Sequence, residues 1–177
     1  MNAKLTRLAL GILAVGAIVA CTVNLSFTYP KNGLIVSFTG SAMNQPLPLD
    51  LSTQAEVQAH KANVQDLSLE YLDATISSIG SGNNVTTING TMKLRPDGGA
   101  ADGSQDVMLG TLTNVSVTVG TKVHLVGNPA IDALVLSTIK GSGKATAVIV
   151  GTAAPASGAV GDFTLDLALH LSMAYSP

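Results

Sequence analysis

Phe163 to Ala174 reads FTLDLALHLSMA. Its apolar residues Phe163, Leu165, Leu167, Leu169, Leu171 and Met173 recur at every second position without a break. Side chains alternate between the two faces of a strand, whereas a helix would scatter this pattern around its surface. The stretch is therefore a long β-strand. One face is buried, and the other carries Thr164, Asp166, Ala168, His170 and Ser172. Burial on one side only belongs to an antiparallel sheet, because parallel strands are covered on both faces.

The same period runs through the rest of the chain. Val23, Leu25, Phe27 and Tyr29 alternate with polar residues. Asn32-Gly33 follows, and this pair predicts a hairpin with Leu34–Thr39 as the returning strand. Leu47, Leu49 and Leu51 also alternate, but Pro46 and Pro48 confine that piece to a sheet edge or an extended connection. In Val64–Ile79, Leu67, Leu69 and Tyr71 take one face and Leu72, Ala74 and Ile76 the other. The phase change between Tyr71 and Leu72 predicts a bulge or bend. Val85–Ile88, Asn89-Gly90 and Thr91–Arg95 predict a second hairpin. Val107–Leu112, Val115–Val119, Val123–Val126 and Ala145–Gly151 read as further strands.

Two segments read as helix. Ser52–Asn63 is short and polar, a helical turn or a loop, with Thr53 and Glu56 spaced as a capping box. Asn128–Lys140 is stronger: Asn128 is a favourable N-cap and Pro129 suits the first helical position. Its Ile131, Ala133, Leu134, Val135, Leu136 and Ile139 are apolar enough to demand burial on most sides, and Gly141 is the expected residue just past its end. The fold class is all-β, an antiparallel β-sandwich with a barrel as the alternative, carrying one or two short helices.

Met1–Ala20 is different in kind. Lys4 and Arg7 precede an uncharged apolar run, Leu8–Val19. As a helix it would span about 18 Å, too short for a hydrocarbon core of roughly 30 Å. A basic start, a short apolar stretch and small residues before a break are the grammar of a secretory signal segment. Its last residues, Ile18-Val19-Ala20-Cys21, resemble the lipobox of bacterial lipoproteins. The resemblance implies cleavage between Ala20 and Cys21, diacylglycerol on the Cys21 thiol, and acylation of the new amino group. Thr22 differs from the Asp associated with inner-membrane retention, so the resemblance implies the outer membrane if the source is Gram-negative. It covers only the leader, and residues 21–177 read as a single β-rich domain. Cys21 is the only cysteine, so it has no disulfide partner within the chain. Alternation starts at Val23, which leaves almost no tether between lipid and strand.

Lys4 and Arg7 lie in the leader, so seven basic residues face eleven acidic ones beyond it, a net charge of −4. With no basic run and three Phe, three Tyr and no Trp, nucleic acid is excluded as a partner. The three histidines, His60, His124 and His170, lack metal-ligand spacing. His124 and His170 both fall on polar strand faces. Asp97, Asp102 and Asp106 share a Gly-rich loop that offers oxygen ligands for Ca²⁺, though without EF-hand spacing. Gly141-Ser142-Gly143-Lys144 superficially resembles a phosphate loop. It lacks the first Gly, where Thr138 stands, and the Ser or Thr after Lys, where Ala145 stands. No G-x-S-x-G elbow occurs.

These readings lead to no catalytic residue, metal or cofactor. They lead to a lipid-anchored, non-enzymatic binding or assembly module in the cell envelope, with an envelope protein as its partner. The alternative is a carrier for an apolar ligand such as a lipid. A packed interior favours the first, and an apolar pocket of several hundred Å³ beside the Asn128–Lys140 helix favours the second.

Overall fold

The computed structural model describes residues 21–177; the signal segment expected over residues 1–20, Ala20 included, lies outside them. Alternating residues build eight strands: β1 (Val23–Thr39), β2 (Ala42–Asp50), β3 (Val64–Ile79), β4 (Thr87–Pro96), β5 (Val107–Ser116), β6 (Lys122–Val126), β7 (Lys144–Ala154) and β8 (Val160–Tyr175). The two helices are α1 (Ala55–His60) and α2 (Pro129–Lys140). The strands form two four-stranded antiparallel sheets, ordered β1-β8-β3-β6 and β2-β7-β4-β5. The architecture is an open β-sandwich rather than a closed barrel.

The sheets differ in height. In the first, β1, β8 and β3 run for 16 or 17 residues; in the second, strands run for 9 to 11. The short sheet covers only part of the tall one. The remaining apolar face meets α2 and the segment around α1, where Val57, Ile131, Val135 and Ile139 are fully buried. This is why so short a helix is so apolar. Asn128 caps it as expected, accepting from the N–H groups of Ala130 and Ile131.

Both Asn-Gly pairs lie inside strands rather than at turns. β1 passes straight through Asn32-Gly33, pairing Lys31 with Leu167 and Leu34 with Leu165 on the same partner strand. The unbroken alternation of β8 offers one continuous ladder, and β1 absorbs its one surplus residue as a bulge with Gly33 at φ +73°. Gly90 lies opposite Gly151 in the β4–β7 ladder, and a Cβ there would stand 2.2 Å from the Val150 carbonyl oxygen. This glycine serves close approach, not a turn. Likewise β5 is continuous where two strands were expected, bending at Asn114, whose N–H donates to the Asn89 side chain.

The bulge expected in β3 falls one residue earlier, between Leu69 and Tyr71. Leu67 and Leu69 therefore share the inner face with Leu72, Ala74 and Ile76, and Tyr71 turns outward. The irregularity has a structural use. The Leu69 N–H donates to Asp132 at the start of α2, and Gly127 passes so close to the Leu69 carbonyl that no side chain would fit. The capping box at Thr53 is not formed. α1 begins after Gln54, and Thr53 bonds back to the Asp50 carbonyl in a 3₁₀ turn.

Three of the four edge strands, β1, β2 and β6, are guarded. Ser41 turns its carbonyl toward Ala153 of β7, so alternation turns Pro46 and Pro48 outward, where they remove donors from the β2 edge. The β1 edge carries Pro30 and the bulge, and the β6 edge is five residues long.

Candidate functional site

The outer face of the tall sheet gathers two of the three histidines with an aspartate, a lysine and a tyrosine. Ala168 of β8 lies between Pro30 of β1 and Asp73 of β3 in the ladder. Its small side chain leaves an open groove of about 470 Å³, bordered by Thr28, Asn32, Tyr71, Asp73, Lys122, Asp166 and His170.

Asp73 is the centre. Its side chain is only 12% exposed although it stands on a solvent face. Lys122 Nζ and His124 Nδ1 each approach one of its oxygens at 2.8 Å, and both come from the neighbouring β6. The Lys122 ammonium, aided by His124, holds the carboxyl below its ordinary range against the upward push of burial. Asp73 is thus a carboxylate at neutral pH. His170 Nε2 lies 4.0 Å from the same carboxylate, and His170 Nδ1 is 3.0 Å from Thr28 Oγ1. Tyr71 lies beside both imidazoles, stacked on His170 at 4.0 Å and tilted against His124 at 4.7 Å.

A hydroxyl, an imidazole and a carboxylate thus fall in line as Thr28, His170 and Asp73. The last gap is wider than a hydrogen bond, and Asp73 is already engaged by Lys122 and His124. The assembly is a polar surface of mixed charge. Its protonatable imidazoles lie on either side of an aromatic ring.

The other candidates separate. Cys21 is exposed and in no disulfide, two residues before β1 begins at Val23. His60 stacks on Tyr175 at 3.7 Å, far along the sheet from the other two histidines. Asp106 is sequestered by Arg95 in a two-pronged pair at 2.6 and 2.9 Å, and Asp102 accepts from the Ser104 N–H. Asp97 instead borders the hollow near Lys144. Among the described residues no group of three His, Cys, Asp or Glu is arranged to hold a metal ion. Gly141 caps α2 with φ −90° and ψ −124°, and the positive φ falls at Gly143. The Gly141–Lys144 turn therefore sits at the C-terminal, negative end of the helix.

Sequence reading placed His124 and His170 on polar faces but missed Asp73, Tyr71, Lys122 and Thr28. Their alternation was visible. The cross-strand neighbours were not.

No protein-family model matches the sequence, and no curated protein matches it. Among solved structures it is similar to a chain of Desmodium yellow mottle tymovirus, with TM-score 0.36, 13% identity, and 100% of this chain and 93% of that one covered. For a chain of turnip yellow mosaic virus the values are 0.38, 14%, 99% and 91%. For the decameric BFDV capsid protein they are 0.42, 10%, 86% and 99%. At these scores the likeness says nothing about function.

Proposed function

We propose that this chain is a lipid-anchored, extracytoplasmic β-sandwich that acts as a non-enzymatic binding or assembly module in the cell envelope. Lipid on Cys21 holds it to a membrane, the outer one if the source is Gram-negative, and an envelope protein is its partner. The observation that carries this reading over an apolar-ligand carrier is the packed interior. The apolar void between the sheets, among Ile76, Met92, Ile149 and Phe163, has a volume of only about 30 Å³. That is room for a water molecule, whereas ligand pockets run to roughly 300–1,000 Å³. The space beside α2 is filled by Ile131, Val135 and Ile139.

The guarded edges of β1, β2 and β6 support binding through faces and loops rather than by strand addition at those strands. The groove over Ala168 is the most featured such surface.

Native mass spectrometry of the membrane-extracted chain tests the choice. The module reading expects covalent lipid only. One retained non-covalent lipid per chain would favour the carrier. Photo-crosslinking in cells from position 32 or 75, at the groove, should give one discrete protein adduct. A featureless smear would count against a specific partner.

A further inference from the structure

We propose that the end of the tall sheet carrying Thr22, Asn63, Gln65 and Ser176 rests on lipid headgroups, and that the sandwich stands upright from the membrane. This rests on the lipid anchor at Cys21 proposed above. It adds an orientation and a contact surface.

Val23 is already paired with Tyr175, so Thr22 alone separates Cys21 from the ladder. Two residues of extended chain span at most about 7 Å, less than the width of one helix. An anchored domain with so short a leash cannot lift or swing freely.

The Thr22 hydroxyl donates to the Gln65 side chain, Gln65 donates to Ser176 Oγ, and the Ser176 N–H donates to the Asn63 carbonyl. These bonds tie the ends of β1, β3 and β8 together beside the anchor, and His60 stacks on Tyr175 next to them. The strand directions are therefore fixed relative to Cys21.

Lys61 at this end reaches the Gly141 carbonyl, which brings exposed Lys140 close by. With the exposed Asp66 beside Gln65, this end carries both signs of charge, as a zwitterionic headgroup layer does. Val23 is 38% exposed, an apolar side chain beside the acyl attachment.

The opposite end is distant. β1 climbs 17 residues, about 50 Å at 3.2–3.4 Å per residue. There Gly40, Gly80–Asn84 and Pro155–Ala159 meet, linked by Asn84 to Gly158 and Val160 and by Gly40 to Ala159. These loops contain no Asp, Glu, Lys or Arg.

Single-cysteine labels on the full, lipidated chain test this, since lipid occupies Cys21. Asn63→Cys and Ala62→Cys mark the lower end; Ser81→Cys and Thr118→Cys mark the upper. All four parent residues are exposed. Each protein is fluorophore-labelled and placed in phosphatidylcholine–phosphatidylglycerol vesicles bearing headgroup-linked nickel as a short-range quencher. The N-terminal peptide of the same sample is weighed. The expected result is an acylated peptide with at least threefold stronger quenching at 62 and 63 than at 81 and 118. An acylated peptide with equal or reversed quenching overturns the orientation and leaves the anchor standing. A peptide without acyl mass overturns the anchor and the orientation together.

Discussion

Replacing Ile131 by alanine isolates the role of α2. The Ile131 side chain is 0% exposed and faces the inner side of the tall sheet. The substitution removes three carbons. At about 0.8 kcal/mol per buried carbon, the transfer loss is about 2.4 kcal/mol. The cavity left under a rigid sheet adds to it, and the total should reach about 3–5 kcal/mol. Leu136, only half-buried on the same helix, should cost about 1–2 kcal/mol when cut to alanine. Urea unfolding followed by far-UV circular dichroism reads the difference. With a slope of about 2 kcal/mol/M, Ile131→Ala should lower the midpoint by roughly 2 M at unchanged slope. A loss under 1 kcal/mol, or a larger loss at Leu136 than at Ile131, would mean that α2 is not seated on the sheet as described.

Gly90→Ala should cost more than the usual 1–3 kcal/mol of overpacking, because its Cβ meets the backbone of β7 rather than a movable side chain; wild-type thermal stability would refute the close approach. Asn128→Ala should cost about 1 kcal/mol by removing both capping bonds of α2, measured by the same urea titration. Arg95 holds the Asp106 carboxyl below its ordinary range, against the burial that pushes it up. A carboxyl lowered on folding adds stability that is complete above its unfolded value of about 3.9 and is lost as pH falls through the lower folded value. Arg95→Met should therefore move acid unfolding to higher pH, and a superimposable profile of melting temperature against pH would show that the pair does not contribute.

The strands and α2 were legible because each carries its own evidence. β8 alternates without fault, and Asn128 with Pro129 marks a helix start by local chemistry alone. The Asn-Gly pairs misled for a physical reason. Glycine satisfies a turn, a bulge and a tight sheet contact equally well, and only the partner strand decides among them. For Gly33 the partner is β8, which runs on past the point where a turn was expected. For Gly90 it is Gly151, whose Cα would lie 2.7 Å from an added Cβ. The phase change in β3 was visible, but its placement was off by one residue, because the hydrogen bond from Leu69 to Asp132 that exploits it joins positions 63 apart. That one residue sent Tyr71 to the outer face.

The groove was half legible for a related reason. Alternation put His124 and His170 on polar faces. Their partners lie 51 residues away for Asp73 with His124 and 142 for Thr28 with His170. Strand order decides such meetings, and alternation within a strand carries no information about which strand lies beside it. The aspartates of the 97–106 loop show the converse. They are close in sequence, yet Arg95 claims Asp106 and Asp97 looks elsewhere.

The central claim is that Cys21 carries lipid and fixes this sandwich to a membrane. Mass spectrometry of the N-terminal peptide, from the full chain expressed in a bacterium that matures lipoproteins and extracted from membranes, tests it most directly. The account predicts a peptide beginning at Cys21 with diacylglyceryl mass on the thiol and, where the host supplies it, a further acyl group on the amine. A peptide that still spans the Ala20–Cys21 bond, or one with an unmodified Cys21 thiol, would contradict it.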